Sequence, residues 1–358
     1  MQEIDYLIVG SGIAGLCIAE CLHSEHASIL IINQPLSGEA SIVSSGLINP
    51  ITGKRFVKSW NYHEIEKTFL AFYSNLEDKL QIKFLSELQL IETLHSAEEE
   101  NQWLSRTADP EYMDYMGVLT AEKIPGFRKE ELTVYGRINK AYRVDVELLL
   151  STWMDYFRKQ ECFREELFDY NEIQIKSNSI HYKAMRINKS IIFCEGYRLV
   201  HNPYFNWLPL FSLKGECLQF YCDHLLQDHI FKSTYAIVPK GKHRFWCGSN
   251  FELDQMELNC TNIEMENQLN FVKNLVEAPI EIINHAFGIR PAIKDRRPVL
   301  GKHPENSRLI VFGGLGTKGF SIAPYCAIAL KDHLVHSKPL PKSTDIGRFL
   351  KKHYQNLS

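Results

Sequence analysis

Apolar positions fall into two rhythms along this chain. From Ile4 to Val9 they are nearly continuous, the pattern of a strand buried on both faces of a parallel sheet. Leu16 to Cys21 is small and apolar without breakers and predicts a helix; Ser28 to Ile32 repeats the buried-strand pattern. Amphipathic spacing predicts a helix over Glu64 to Leu80, followed by a strand at Glu87 to Thr93 and a helix at Ala97 to Trp103. Asp145 is placed to cap a helix over Glu147 to Lys159. Strands are predicted at Phe163 to Phe168, Ser190 to Cys194 and Leu309 to Phe312. Between them the pattern changes to alternation at Lys214 to Phe220, Tyr235 to Pro239 and Arg244 to Gly248, which predicts an antiparallel sheet. Pro324 is placed as the first residue of a helix over Tyr325 to Leu334.

Between the first strand and the first helix stands Gly10-Ser11-Gly12-Ile13-Ala14-Gly15. Strand, Gly-x-Gly-x-x-Gly, helix and strand in this order make the dinucleotide-binding βαβ unit. Gly10 makes the tight turn, Gly12 admits a pyrophosphate, and Gly15 lets helix and strand pack closely. The pyrophosphate would meet free N–H groups at the positive end of the helix. The second strand usually ends in an acid that grips the ribose; Asn33 stands there, followed by Gln34. An amide both donates and accepts hydrogen bonds, so the ribose contact survives in principle.

Two further segments identify the dinucleotide. The first is Gly38-Glu39-Ala40-Ser41-Ile42-Val43-Ser44-Ser45-Gly46-Leu47-Ile48-Asn49-Pro50, a loop of small and hydroxyl side chains. The second runs from Gly288-Ile289-Arg290-Pro291 through Asp295-Arg296-Arg297-Pro298-Val299-Leu300-Gly301. It continues to Gly313-Gly314-Leu315-Gly316-Thr317-Lys318-Gly319-Phe320-Ser321-Ile322-Ala323-Pro324. In order and spacing these resemble the glycine oxidase and D-amino-acid oxidase family; the middle of the chain resembles it only loosely.

That resemblance implies non-covalently bound FAD and an α/β fold. A discontinuous Rossmann-like FAD-binding domain would comprise residues 1–76, 143–205 and 288–358. Residues 77–142 and 206–287 would form an α+β substrate domain with an antiparallel sheet. Cofactor contacts would come from Gly10 to Gly15, Asn33 and Gln34, and from Ala40, Ser41, Ser44, Ser45, Gly46 and Leu47 beside the flavin. Cys194, Glu195 and Gly196 would turn beneath the pyrophosphate. The backbone ending at Phe168 would meet the adenine or serve as a simple buried edge. Arg290 and the loop Gly314, Leu315, Gly316, Thr317, Lys318, Gly319 and Phe320 would face the ring, the loop at its N1–C2 edge.

Arg290 is the first candidate for the substrate, because a guanidinium binds a carboxylate through two parallel hydrogen bonds. The bland reading is an arginine bridging two domains. Lys54 and Arg55 follow the flavin-side loop and are candidates for the pocket mouth; a solvated basic turn is the alternative. His63 is not required as a base, since hydride transfer from a neutral amine does not demand one. The family often has a basic residue where Thr317 stands and a tyrosine where Ala236 stands. These departures point away from free glycine and towards a secondary or N-carboxymethyl amine. The same loop also resembles the FAD-dependent half of the bifunctional enzyme that matures tRNA wobble uridines. A 2-hydroxy-acid dehydrogenase and a non-catalytic FAD-binding protein are the other readings.

Composition changes this picture little. At 358 residues the chain exceeds the roughly 250–300 at which one core stops growing, which favours two domains. Its net charge of -3 argues against a dedicated nucleic-acid binder, although Lys54, Arg55 and Lys58 leave a tRNA partner open. Nine scattered cysteines without CxxC spacing suit reduced thiols in a cytoplasm, and no metal-ligand set is read from the sequence. No apolar run reaches the roughly 18 residues of a membrane span.

Overall fold

The computed structural model describes residues 2–129, 133–176, 178–253 and 257–350, so parts of the expected domains (1, 130–132, 177, 254–256 and 351–358) lie outside the described residues. The continuous apolar runs form the middle of an eight-stranded sheet. Gln2–Val9 pairs in parallel with Ile29–Asn33 on one side and Met185–Phe193 on the other. Leu309–Gly313 and Phe163–Glu165 extend this parallel centre at either side. Both faces are covered, as such strands require. Tyr6 and Ile8 point into a core shared with the helices Ile13–Ser24 and Gly319–His336, while Leu7 and Val9 join Tyr182, Phe193 and Phe205 on the opposite side.

The alternating strands build a ten-stranded sheet. Leu210–Tyr221 lies between Arg244–Gly248 and Glu281–Ile293, antiparallel to both, and Ala236–Gly241 pairs antiparallel with Arg244–Gly248. One pair is parallel, His229–Lys232 with Leu85–Leu94. One face of the central strands carries Leu218, Phe220, Phe245 and Cys247 into a core covered by the helix Asn262–Leu275. The other turns towards the glycine-loop sheet. The fold is therefore a mixed α/β structure in which a Rossmann-like sheet faces a largely antiparallel one.

The predicted elements are present, with informative differences. Glu281–Ile293 runs through the expected domain boundary at 288 and pairs with Leu210–Tyr221 as far as Ile293, so Arg290 stands on the ten-stranded sheet. Leu47–Ile48 likewise pairs with that sheet, against Arg143 and Tyr142. The strand expected to reach Phe168 stops at Glu165 because its partner ends at Asn33, whose carbonyl accepts from Glu166 N–H. Phe168 instead stacks on Tyr182, with ring centroids 4.6 Å apart.

The largest local surprise is Pro324. It does not open its helix; Gly319–His336 begins five residues earlier and carries the proline inside. A proline there leaves the carbonyl of Phe320 without its helical donor. The buried hydroxyl of Tyr73 supplies the missing hydrogen bond at 2.5 Å. The aspartate cap is as expected: Asp145 accepts from Leu148 N–H at the start of Val146–Lys159. Such a cap contributes about 1 kcal/mol, less than burial of one large apolar side chain, roughly 1.5–3 kcal/mol. The stripe Leu149, Leu150, Trp153 and Phe157 therefore dominates that helix.

Candidate active site

The first glycine loop is built for close backbone approach. Gly10 has φ +105, and a Cβ on it would lie 2.5 Å from the carbonyl oxygen of Cys194. A Cβ on Gly15 would overlap the carbonyl of Gly10 itself. The helix that follows starts at Gly12 with no side-chain cap and no acid in its first turn. Ser41 Oγ accepts from Ile13 N–H at 3.1 Å, which draws the short helix Ala40–Val43 over the loop. An uncapped helix N-terminus beside a small-residue cradle fits an anionic dinucleotide.

Other expected cofactor residues converge on this loop with altered details. The Asn33 carboxamide accepts from Ser11 N–H at 3.2 Å, an interaction that steadies the loop; Gln34 follows it directly. Ser44 and Ser45 turn their hydroxyls onto Gly46 N–H and Leu47 N–H, so they shape their own loop. Cys194 is buried against the Gly10 turn, and Glu195 accepts from Tyr170 Oη–H and Asn202 Nδ2–H. Burial pushes the Glu195 carboxyl up, against the opposing pull of its two hydrogen bonds. Gly196 takes a left-handed conformation in the turn that follows. Phe168 belongs to an aromatic cluster with Tyr170, Tyr182 and Phe193.

Facing this loop is one side of the ten-stranded sheet. Cross-strand partners share a face, and residues two apart along a strand do too. Cys217 pairs with Ala286 and Gly248, Gly215 with Gly288, Leu213 with Arg290, and Ala236 with Gly248. These positions form a floor of small side chains with Arg290 at one end. Trp246 Nε1–H donates to Val43 O at 3.0 Å and a Cβ on Gly288 would meet Ala40, which fixes the floor against the flavin-side helix.

Arg290 lies across Gly215, where any Cβ would overlap its guanidinium. It donates to Ser249 Oγ and to the carbonyl of Asn250 at 3.4 Å, and lies 4.7 Å from the Phe251 ring centroid. No carboxylate pairs with it among the described residues. Burial lowers its pKa to about 10, which leaves it charged at neutral pH. Beneath it, on the far face, Glu216 N–H donates to Asn250 Oδ1 at 2.7 Å. Glu216 is itself fully buried against Lys214 at 2.9 Å. Glu216, Cys260 and His285 bring potential ligand atoms within 4.8 Å of one another. The Lys214 ammonium and two donors from Thr261 already satisfy the carboxylate, so a polar network accounts for this cluster better than a cation.

The second glycine loop abuts the same strand: Gly316 N–H donates to Pro291 O at 2.8 Å. Gly314, Leu315, Gly319 and Phe320 pack inward and Thr317 is exposed. Lys318 turns towards the hairpin of Ile51–Thr52 and Val57–Lys58, donating to Ser59 Oγ at 2.8 Å and Thr52 Oγ1 at 3.3 Å. Lys54 and Arg55 occupy the exposed tip of that hairpin, and the Arg55 carbonyl accepts from Arg106. His63 is exposed on its helix. Cys326 is buried inside its helix, where burial pushes the thiol up and makes it a poor nucleophile.

Gly215, Ser249, Asn250 and Phe251 were not singled out from sequence. A glycine inside an alternating strand signals close approach of another group, and Gly215 was legible in that way. The three-residue turn after Gly248 carried no such signal.

Over residues 5–333 the sequence matches the family model described as FAD dependent oxidoreductase. It is 25% identical over 129 residues to a glycine oxidase of Bacillus subtilis (strain 168), which is 35% of each chain. With a glycine oxidase of Geobacillus kaustophilus (strain HTA426) the figures are 30% over 129 residues, 35% of this chain and 34% of the relative. The alignment thus spans about a third of these curated relatives. The structure is similar to that of the G. kaustophilus glycine oxidase, with TM-score 0.81, 22% identity and 98% of each chain covered. It is also similar to an iminodiacetate oxidase from Chelativorans sp. BNC1, with TM-score 0.78, 19% identity and 95% and 99% covered.

Proposed function

The chain belongs to the family of FAD-dependent oxidoreductases, and from that premise we propose that it oxidises the carbon–nitrogen bond of a small carboxylated amine, glycine-like or N-carboxymethyl. One observation carries this reading: Arg290 is a desolvated guanidinium with no acid beside it among the described residues, at the end of a small-residue floor that faces the flavin-side helix. A buried charge without a partner is costly, and a substrate carboxylate would relieve that cost with two parallel hydrogen bonds. Glycine and iminodiacetate, the compounds in the relatives' names, are both carboxylated amines.

Gly10 to Gly15 with the uncapped helix N-terminus would hold the pyrophosphate, and Ala40 to Leu47 with Gly314 to Phe320 would flank the ring. Bound FAD would supply the hydride acceptor. The protein's own contribution is orientation and desolvation. Arg290 would fix the carboxylate, Ser249 and the Asn250 carbonyl would hold its fork in one plane, and Gly215 leaves room for that fork. Gly248, Ala236 and Ala286 leave space for the amine and its substituent. No side chain is assigned as base; the amine would enter neutral. Residues 1–76, 143–205 and 288–358 would form the FAD-binding part and 77–142 with 206–287 the substrate part, with Arg290 reaching across.

Anaerobic mixing of the FAD-loaded protein with glycine, N-methylglycine and larger N-carboxymethyl amines tests the reading. Bleaching of the flavin by at least one of them is expected. A flavin reduced by 2-hydroxy acids and untouched by all amines would replace the reading with a hydroxy-acid dehydrogenase.

A further inference from the structure

A second group of cations stands on the segments next to the Arg290 strand. Lys318 is partly buried, and its ammonium is held by two hydroxyls, Ser59 Oγ at 2.8 Å and Thr52 Oγ1 at 3.3 Å. Ser59 is followed by Trp60, and the Arg297 guanidinium lies 5.2 Å from the Trp60 ring centroid. Arg296, beside it, is exposed. Among the described residues none of the three cations forms an ion pair with a carboxylate. Asp295, the nearest acid in sequence, is committed to Arg348 at 2.8 Å. Hydroxyls satisfy the donors of Lys318 without neutralising it, and the charges of Arg297 and Arg296 push its pKa further down, after burial itself, to about 8. Three like charges close enough to act on one another are mutually destabilising unless an anion joins them.

This group adjoins the Arg290 site. The Lys318 loop is hydrogen-bonded to the Arg290 strand through Gly316 N–H and Pro291 O, two residues and one residue from the respective cations. One positive charge would suffice to complement an electron-rich flavin edge. Three, with the outermost open to solvent, exceed that need.

We propose that Lys318, Arg297 and Arg296 form a second anion subsite, and that the substrate is a dianionic amine carrying one carboxylate for Arg290 and a further acidic group, carboxylate or phosphate, for this cluster. The inference deepens the carboxylated-amine reading and rests on it for the chemistry, but the subsite itself is read by binding alone.

The test uses FAD-loaded protein and unreactive ligands. Straight-chain dicarboxylates from succinate to pimelate, the matching monocarboxylates and the corresponding phosphono acids are titrated while the flavin's visible spectrum is followed. At one chain length the diacid is expected to bind at least tenfold tighter than the monoacid. Arg297→Gln should reduce that ratio to within twofold while leaving monoacid binding unchanged. Lys318→Met should also reduce the ratio, with FAD content and monoacid binding measured alongside because this lysine lies in the loop that would flank the ring. A phosphono acid that outranks its dicarboxylate would identify phosphate as the second group. Equal binding of mono- and diacids at every length, or a ratio that survives both substitutions, would overturn the subsite. A changed flavin reduction potential in Lys318→Met with the ratio intact would assign that lysine to the flavin and equally overturn it. If no amine ever reduces the flavin yet the ratio behaves as expected, the subsite stands and the amine chemistry falls.

Discussion

The first glycine loop and the Arg290 floor face each other, yet they are made in opposite ways. Around Gly10 to Gly15 the protein presents backbone: an uncapped helix end, no side-chain charge in the first turn, and contacts so close that a single Cβ would overlap a carbonyl. On the floor it presents a charge: a guanidinium laid over Gly215, steadied by Ser249 and Asn250 and, among the described residues, left without an acid. A cofactor common to many reactions can be held by geometry that any βαβ unit provides. A substrate has to be distinguished, and buried unpaired charge discriminates more sharply than shape.

The strongest way to break this comparison is at the backbone side. Gly12→Glu would place a carboxylate where the pyrophosphate is expected. The variant should be soluble and colourless, and its ratio of flavin to protein absorbance measures this. Full flavin content would show that the loop does not hold the cofactor. Next comes Arg290→Ala, which should keep flavin but lose on the order of a hundredfold in reduction by a carboxylated amine, about 3 kcal/mol for a buried charge-assisted pair. Gly215→Ala sharpens the same point without removing the charge. Its methyl group would push the guanidinium aside, so a smaller loss, about tenfold, is expected with normal flavin content. An unchanged rate in stopped-flow reduction would mean that Arg290 tolerates another position.

How much of this was legible in the sequence follows from the same contrast. The glycine loop, its strand and its helix are local in the chain, and each glycine has one steric duty, so residues 4–32 read correctly from spacing. Arg290 was legible as a guanidinium flanked by Gly288 and Pro291, but not as part of the sheet opposite. Only the pairing of Arg290 with Leu213, far away in sequence, places it there. Pro324 misled for a related reason. The rule that proline opens helices is local, whereas the Tyr73 hydroxyl that rescues the Phe320 carbonyl arrives from 247 positions away. Lys54 and Arg55 were attractive because they follow the flavin-side loop directly, and the hairpin carries them to its exposed tip.

Two smaller effects refine the picture. Tyr73→Phe leaves a buried carbonyl without a donor and should cost about 1–3 kcal/mol, seen as a lower melting temperature with flavin content intact. An unchanged melting temperature would mean that the Phe320 carbonyl finds another donor. The pH dependence of diacid binding separates the two cation sites. Lys318 is charged below about pH 8 and loses its proton as the pH rises through that value, whereas Arg290 stays charged until about 10. Diacid affinity should therefore fall between pH 7 and 9 while monoacid affinity stays level. Parallel pH profiles for the two ligands would contradict the separate assignment of Lys318.

The most direct measurement is anaerobic reduction of the bound flavin by N-methylglycine and by its amide, in the unmodified protein and in Arg290→Ala. The account predicts that the acid reduces the unmodified protein about a hundredfold faster than the amide, and that the difference vanishes in the variant. Equal rates for acid and amide, or a preference for the acid that outlasts the loss of Arg290, would contradict it.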